Sequence, residues 1–290
     1  MSTVIELIEA GAKRLEDAGV AFGHGTTNAF DEAAWLVLWQ LGLPLDTLDA
    51  VARQTVTPAD QAQVADLVAT RIASRKPAAY LTKEAWLQGV AFYVDERAIV
   101  PRSFIAELIT DSGFDYWLRE DTRRVLDLCT GNGSLAVLAA MCWPEVAVDA
   151  ADLSAEALEV ARINIERHRL QDRVRLLHSD GLQAVQGPYD LILCNPPYVN
   201  TASMQALPAE YRAEPALALD GGADGMDLVR TILRDAPAKM SPEAVLVLEI
   251  GNERRHFEHA FPRLEVAWLE TSAGDDQVLL VTREALSRRN

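Results

Sequence analysis

The sequence predicts an α/β protein built on a doubly wound parallel sheet, with a small helical domain in front of it. Three observations carry that expectation. Apolar runs of strand length alternate with helical patterns from about residue 125 to residue 250, and such alternation requires crossovers, hence parallel strands with a ligand site at their carboxyl ends. A strand, a turn with two glycines and a helix open that series, whereas the first 75 residues carry helical spacing alone. The 290 residues, 49% hydrophobic and 24% charged, suffice for one large domain and one small one.

Taken in order, Val4, Leu7, Ile8 and Leu15, then Ala34, Leu38 and Leu41, recur at helical spacing, broken at Gly23-His24-Gly25 and at Pro44. Trp35 and Trp39, four apart, read as core of the second helix. Thr57-Pro58 reads as the cap and first position of a third helix ending near Arg75. Residues 1–75 thus form a helical domain. Over 76–101 the texture turns β-branched and aromatic, in Ala79-Tyr80-Leu81 and Val90 to Val94, which suits a β-hairpin linker. A helix over 103–118 opens the last domain, 102–290. Strands are expected at 125–129, 146–151, 174–178, 191–194 and 244–250, and helices at 135–141, 155–168 and 226–239.

Charge and cysteine content narrow the function classes. Lys and Arg number 27 against 43 Asp and Glu, a net charge of −16, and both halves share the deficit: 9 basic against 15 acidic groups up to residue 112, and 18 against 28 after it. Affinity for polyanions rests on neutralising phosphates, so direct nucleic-acid binding is not expected. The acid excess would attract a basic protein partner or serve solubility alone. Glu6, Glu9, Lys13 and Arg14 interrupt the N-terminal apolar pattern, and no apolar run approaches the roughly 18 residues of a membrane span; a soluble cytoplasmic protein without membrane contact is expected. Cys129, Cys142 and Cys194 form no CxxC pair, which argues against disulfides and zinc. His256 and His259, three apart, read as a solvated pair rather than as metal ligands.

The chemistry concentrates at strand ends. VLDLCTGNGSLAVLAA (125–140) places Gly131 and Gly133 where a ligand approaches backbone at a helix N-terminus. A tight turn that binds nothing would look the same. Asp152 closes the next strand about twenty residues on, where a carboxylate can accept ribose hydroxyls, and Asp180 closes the third; either alone is also explained as a loop or capping residue. PYDLILCNPPYV (188–199) then runs from an apolar strand into Asn195-Pro196-Pro197-Tyr198. Two prolines fix the backbone and leave carbonyls free, and Asn195 adds a side-chain acceptor. A planar NH₂ group, which needs two acceptors and a nearby ring, suits that turn.

GNG at 131–133, Asp152 and NPPY at 195–198 resemble the class I S-adenosylmethionine-dependent methyltransferases that act on planar amino groups, including DNA adenine and protein glutamine methyltransferases. EPALALDGGADGMDLV (214–229) resembles the glutamine branch. FYVDERAIVPRSFIAELI (92–109) and AYLTKEAWLQG (79–89) resemble the sub-branch acting on ribosomal protein L-three, rather than the one acting on peptide chain release factors. The likeness spans roughly residues 70–285; Phe104 departs from it, standing where the PRSP run has proline. It implies a Rossmann-like seven-stranded sheet, S-adenosyl-L-methionine as cofactor with S-adenosyl-L-homocysteine as product, no metal, and methyl transfer to a glutamine amide nitrogen of L-three, with release factors as the alternative substrate and the helical domain as the substrate reader. Asn195, Pro196, Pro197 and Tyr198 are the implied catalytic residues. Asp127, Thr130, Gly131, Asn132, Gly133, Asp152, Leu153, Asp180, Gly181 and Asn195 are the implied cofactor contacts. No general base is evident, and Arg102 reads as a surface residue near the rim. A DNA adenine methyltransferase would need a basic groove that this composition lacks, and a non-catalytic ribosome assembly scaffold would not need NPPY.

Overall fold

The computed structural model of the protein describes residues 2–288. Thr3 opens α1 (Val4–Asp17) with a capping box: its hydroxyl accepts the Glu6 N–H, and the Glu6 carboxylate accepts the Thr3 N–H at 2.8 Å. Asn28 caps α2 (Ala29–Gln40); a short α3 (Leu48–Val51) follows; Thr57 and Pro58 start α4 (Pro58–Ser74), which Arg75 ends in the left-handed region at φ 57°. These helices bury Ile8, Leu15, Leu36, Leu38 and Val68 in a core of their own. Trp35 joins that core, whereas Trp39 is exposed.

A charge lies inside it. Arg71 is fully buried, donating to Glu32 at 2.8 Å, to the Ala21 carbonyl at 3.1 Å and to Glu210 at 3.5 Å. Arg75 meets the same Glu210 at 3.4 Å. Burial raises the Glu32 carboxyl above its ordinary range, against the pull of Arg71. Glu210 belongs to the segment after NPPY, so this cluster fastens the helical part to the sheet-bearing part.

The linker differs from expectation. Ala79-Tyr80-Leu81 belongs to a helix, α5 (Ala78–Thr82), because Pro77 precedes it and the buried Tyr80 hydroxyl reaches the Ala98 carbonyl at 2.7 Å. The hairpin is confined to β1 (Ala85–Leu87) and β2 (Val90–Phe92). The helix expected over 103–118 is only α6 (Ile105–Thr110). Ser112 turns left-handed at φ 58°, and the Gly113 N–H returns to the Leu108 carbonyl at 2.8 Å, so the helix closes there. A side chain at Gly113 would stand 2.5 Å from Leu108 Cδ2.

The rest is β3 (Arg124–Leu128), α7 (Ser134–Cys142), β4 (Ala147–Asp152), α8 (Ala155–Arg167), β5 (Val174–His178), β6 (Tyr189–Cys194), α9 (Thr201–Ala206), α10 (Asp227–Asp235), β7 (Met240–Glu249), α11 (Arg254–Ala260), β8 (Ala267–Thr271), β9 (Gly274–Thr282) and α12 (Arg283–Arg288). The sheet runs β5-β4-β3-β6-β7-β9-β8, parallel from β5 to β7, with β9 antiparallel to both neighbours. Successive residues face opposite sides. Val125, Val148, Leu191 and Val245 pack under α6 to α8, and Leu126, Ile192, Leu246 and Leu279 pack against α10 to α12. Among the described residues no helix is long and apolar enough to cross a membrane.

Candidate active site

β4 and β5 lie on one side of β3 while β6 and β7 lie on the other, so the winding reverses at the β3/β6 junction and opens a crevice at the strands' carboxyl ends. Leu128 of β3 pairs with Cys194 of β6 there, which sets the glycine turn beside Asn195.

The turn is built by backbone conformation. Cys129, Gly131 and Gly133 have φ of 62°, 55° and 82°, a region that costs an L-residue free energy and glycine little. The two glycines serve different ends. A Cβ at Gly131 would meet nothing within 4 Å, whereas one at Gly133 would press on Ala161 of α8 at 3.0 Å. Behind the turn, buried Asp127 accepts the Thr130 hydroxyl at 2.5 Å and the Ala136 N–H at 2.9 Å. Its other oxygen has no partner among the described residues, and burial pushes its carboxyl up to about 7. Asn132 reaches the Ile99 carbonyl at 3.0 Å and accepts the Ser134 N–H at 3.0 Å. Asn164 of α8 bonds the Asn132 carbonyl at 2.8 Å and both backbone groups of Tyr93, tying the linker to the turn.

Two cavities meet at this point. The first crosses the strand ends and is lined by Gly131, Asp152, Leu153, Asp180, Gly181, Asn195 and Pro197, among others. Asp127, Thr130, Asn132 and Gly133 are not on its wall; they form the frame that shapes the turn. Asp152 accepts the Gly131 N–H and the Ser154 N–H, each at 2.8 Å and each on a different oxygen. That leaves acceptor capacity on both oxygens for a diol. Burial raises the Asp152 carboxyl, opposed by those N–H groups.

The second cavity is lined by Asn195, Pro196 and Tyr198, by Arg102, Tyr211 and Glu249, and by Gly23, Gly25, Thr26 and Thr27 from the loop between α1 and α2. Ile99, Asn195 and Ala218 line both cavities. The NPPY turn is therefore the partition, with Pro197 on one side and Pro196 and Tyr198 on the other. Among the described residues no hydrogen bond uses the Asn195 side chain or the Pro196 carbonyl. Both acceptors stay available at the junction.

Arg102 is no solvated surface residue. It donates twice to buried Glu214, at 2.6 and 2.7 Å, and lies 5.6 Å from the centre of the Tyr211 ring. Glu214 also accepts the Val100 N–H at 2.9 Å and faces His24 at 3.4 Å. Burial acts against its ionisation, but the Arg102 charge and these bonds hold its carboxyl down at about 2. Sequence reasoning missed Glu214, Asn164 and Glu249. Glu249 ends a parallel strand as Asp152 does, a signal that was there to be used. His256 contacts Glu253, and no group of three or more His, Cys, Asp or Glu among the described residues is placed to hold a metal ion.

Fold and site together define a class I methyltransferase. Residues 114–214 match the family described as Methyltransferase small domain. A ribosomal protein uL3 glutamine methyltransferase of Bordetella pertussis is 54% identical over 99% of this chain and 97% of its own. Those of Burkholderia pseudomallei and Bradyrhizobium diazoefficiens are 50% and 47% identical, each over 96% of this chain and over 94% and 90% of their own. The chain belongs to the ribosomal protein uL3 glutamine methyltransferase family. Among solved structures, the hMettl16 catalytic domain in complex with MAT2A 3'UTR hairpin 1 superposes with a TM-score of 0.53 at 14% identity, covering 80% of this chain and 83% of that one. At that identity it speaks for the fold alone.

Proposed function

We propose that this protein transfers a methyl group from S-adenosyl-L-methionine to the side-chain amide nitrogen of a glutamine in ribosomal protein uL3, and that it works in the cytoplasm. The carrying observation is the meeting of two cavities at Asn195, one with a carboxylate and a glycine turn suited to a nucleoside, the other with two unused acceptors beside an aromatic ring. The relatives, all named for uL3, favour that substrate over release factors. The acid balance of the chain suits a basic partner protein.

When bound, the cofactor supplies an electrophilic methyl on a sulfonium centre. Asp152 would hold its ribose, and the Gly131 turn would let it approach the backbone. An amide nitrogen is a weak nucleophile because its lone pair is delocalised into the carbonyl. Asn195 Oδ1 and the Pro196 carbonyl, accepting its two hydrogens, return electron density to nitrogen and aim it across the partition. Tyr198 packs beside the amide. Positioning and fixed dipoles of this kind lower a barrier without an acid or base. The proton leaves after transfer, when the nitrogen carries the charge. The loop at Gly23 to Thr27 lines the same cavity as Tyr198, which supports the helical domain as a reader of the residues flanking the glutamine.

Intact-mass analysis after incubation with S-adenosyl-L-methionine tests the reading. One methyl increment on unmethylated uL3, mapped to a glutamine, is expected. Transfer to a release factor instead would move the substrate, and transfer to neither would overturn the function. The two turn glycines give a separate expectation for the cofactor site. Gly131→Ala is expected to weaken S-adenosyl-L-homocysteine binding while costing about 1–2 kcal/mol of stability, the left-handed penalty. Gly133→Ala adds the clash with Ala161 and is expected to lower the melting temperature further. Calorimetric titration and thermal melts separate the two; equal behaviour of both variants would refute the division of labour.

A further inference from the structure

Methyl transfer as derived above leaves a buried acid of the second cavity without a task. Glu249, the last residue of β7, is 2% exposed and lines the cavity beside Tyr198. Its Oε2 accepts the Ser103 hydroxyl at 2.6 Å and the Phe104 N–H at 2.9 Å, and its Oε1 accepts the Tyr198 phenol at 3.3 Å. An ionisable group buried this completely is retained at a cost.

Tyr198 itself sits in a slot made of backbone. A Cβ at Gly251 would stand 2.5 Å from Tyr198 Cε2, one at Gly225 2.2 Å from the Tyr198 carbonyl oxygen, and one at Gly221 2.8 Å from its Cα. Three glycines thus clear room for the residue, and the bond to Glu249 anchors the far end of its ring. We propose that Glu249 is a positioning residue for methyl transfer, fixing the Tyr198 ring as the wall beside the target amide, and that the Phe104 backbone N–H helps hold Glu249 in that role. The proposal rests on the second cavity being the glutamine site.

Phe104 is the departure from the PRSP run, and it changes the donor inventory. Proline has no N–H, so at this position phenylalanine adds a donor to the buried carboxylate. The φ of Phe104, −70°, lies within the range of proline. Phe104→Pro therefore deletes the donor at a compatible φ, and Phe104→Ala deletes the ring and keeps the donor. Burial raises the Glu249 carboxyl, and the bonds from Ser103, Phe104 and Tyr198 oppose that rise. The other charged or titratable groups nearby are Arg102 and Glu214, which act on Tyr198, and Cys194, on which Glu249 acts.

The test is steady-state kinetics on uL3 with calorimetry for S-adenosyl-L-homocysteine. Glu249→Gln and Tyr198→Phe are each expected to lower kcat roughly ten- to a hundred-fold, the range for a hydrogen bond to a charged group, with cofactor affinity within about twofold. Because both act through one contact, the double variant is expected to be no worse than the poorer single one. Losing a donor to the ionised form raises a carboxyl further, so Phe104→Pro is expected to move the acid limb of the rate profile to higher pH than Phe104→Ala does. A Glu249→Gln enzyme with unchanged kcat, additive losses in the double variant, or coincident acid limbs for the two Phe104 variants would each overturn the proposal. If Glu249→Gln fails to bind S-adenosyl-L-homocysteine, the Phe104 pair decides. A wild-type enzyme that does not methylate uL3 would instead overturn the reading underneath, before any variant is compared.

Discussion

Asn195→Ala is expected to lower kcat for uL3 methylation by about 10²–10³-fold, the effect of removing one fixed dipole from a developing charge, while S-adenosyl-L-homocysteine binds nearly as before. The expectation follows from where Asn195 sits. It lines both cavities at the partition, and its side chain is engaged by nothing else among the described residues. Truncation leaves the Pro196 carbonyl as the single acceptor for two amide hydrogens, so the nitrogen can rotate and its lone pair returns to the carbonyl. The first cavity keeps Asp152 and Gly131, hence the preserved cofactor affinity. Single-turnover kinetics with calorimetry on the same preparation checks this. Parallel loss of kcat and of cofactor affinity would make Asn195 a cofactor residue first.

Arg71→Ala is expected to destabilise the protein by about 3–5 kcal/mol, the usual result of stripping one partner from a buried ion pair. Glu32 and Glu210 are both about 1% exposed at their side chains and meet at the Arg71 guanidinium. Arg75, a third exposed, remains near Glu210 but not near Glu32. The pH dependence has a definite sign. The Glu32 carboxyl is already raised by burial, and losing Arg71 raises it further. A group raised in the folded state loses stability as pH climbs above its unfolded value and through its folded one. The deficit of the variant is therefore expected to widen from acid to neutral pH in denaturant melts. A deficit below 1 kcal/mol, or one that narrows with rising pH, would mean the carboxylates find other partners. Because Glu210 directly precedes Tyr211, which lines the second cavity, KM for uL3 is expected to rise as well.

The strand ends that carry the site were legible because their signals are local. Thr57 and Pro58 start a helix by their own chemistry; a glycine pair after an apolar strand makes a turn; Asp152 ends β4, and Asp180, expected to close the next strand, stands two residues past the end of β5; the prolines of NPPY stiffen their own backbone. The misreadings occurred where neighbours in space outweigh neighbours in sequence. Ala79-Tyr80-Leu81, with its aromatic residue, reads as part of a strand-like run, but it is helical, with Tyr80 reaching the Ala98 carbonyl. The periodicity over 103–118 carries no sign of the close at Gly113, and the β8/β9 hairpin has no local signal, its strands being set by pairing at the sheet edge.

By itself the sequence determined the class of fold, the position of the glycine turn and the NPPY acceptors at neighbouring strand ends, since helix caps, turn glycines and strand alternation act over a few residues. Tertiary structure alone decided which donor each of three buried carboxylates meets. Arg102 finds Glu214 across 112 residues, Ser103 finds Glu249 across 146, and Arg71 finds Glu210 across 139. The sequence offers several possible partners for each of these groups without choosing one. The choice is made when packing removes water from a particular pair, because a buried charge must then be met by whichever opposite group the fold has brought within hydrogen-bond distance.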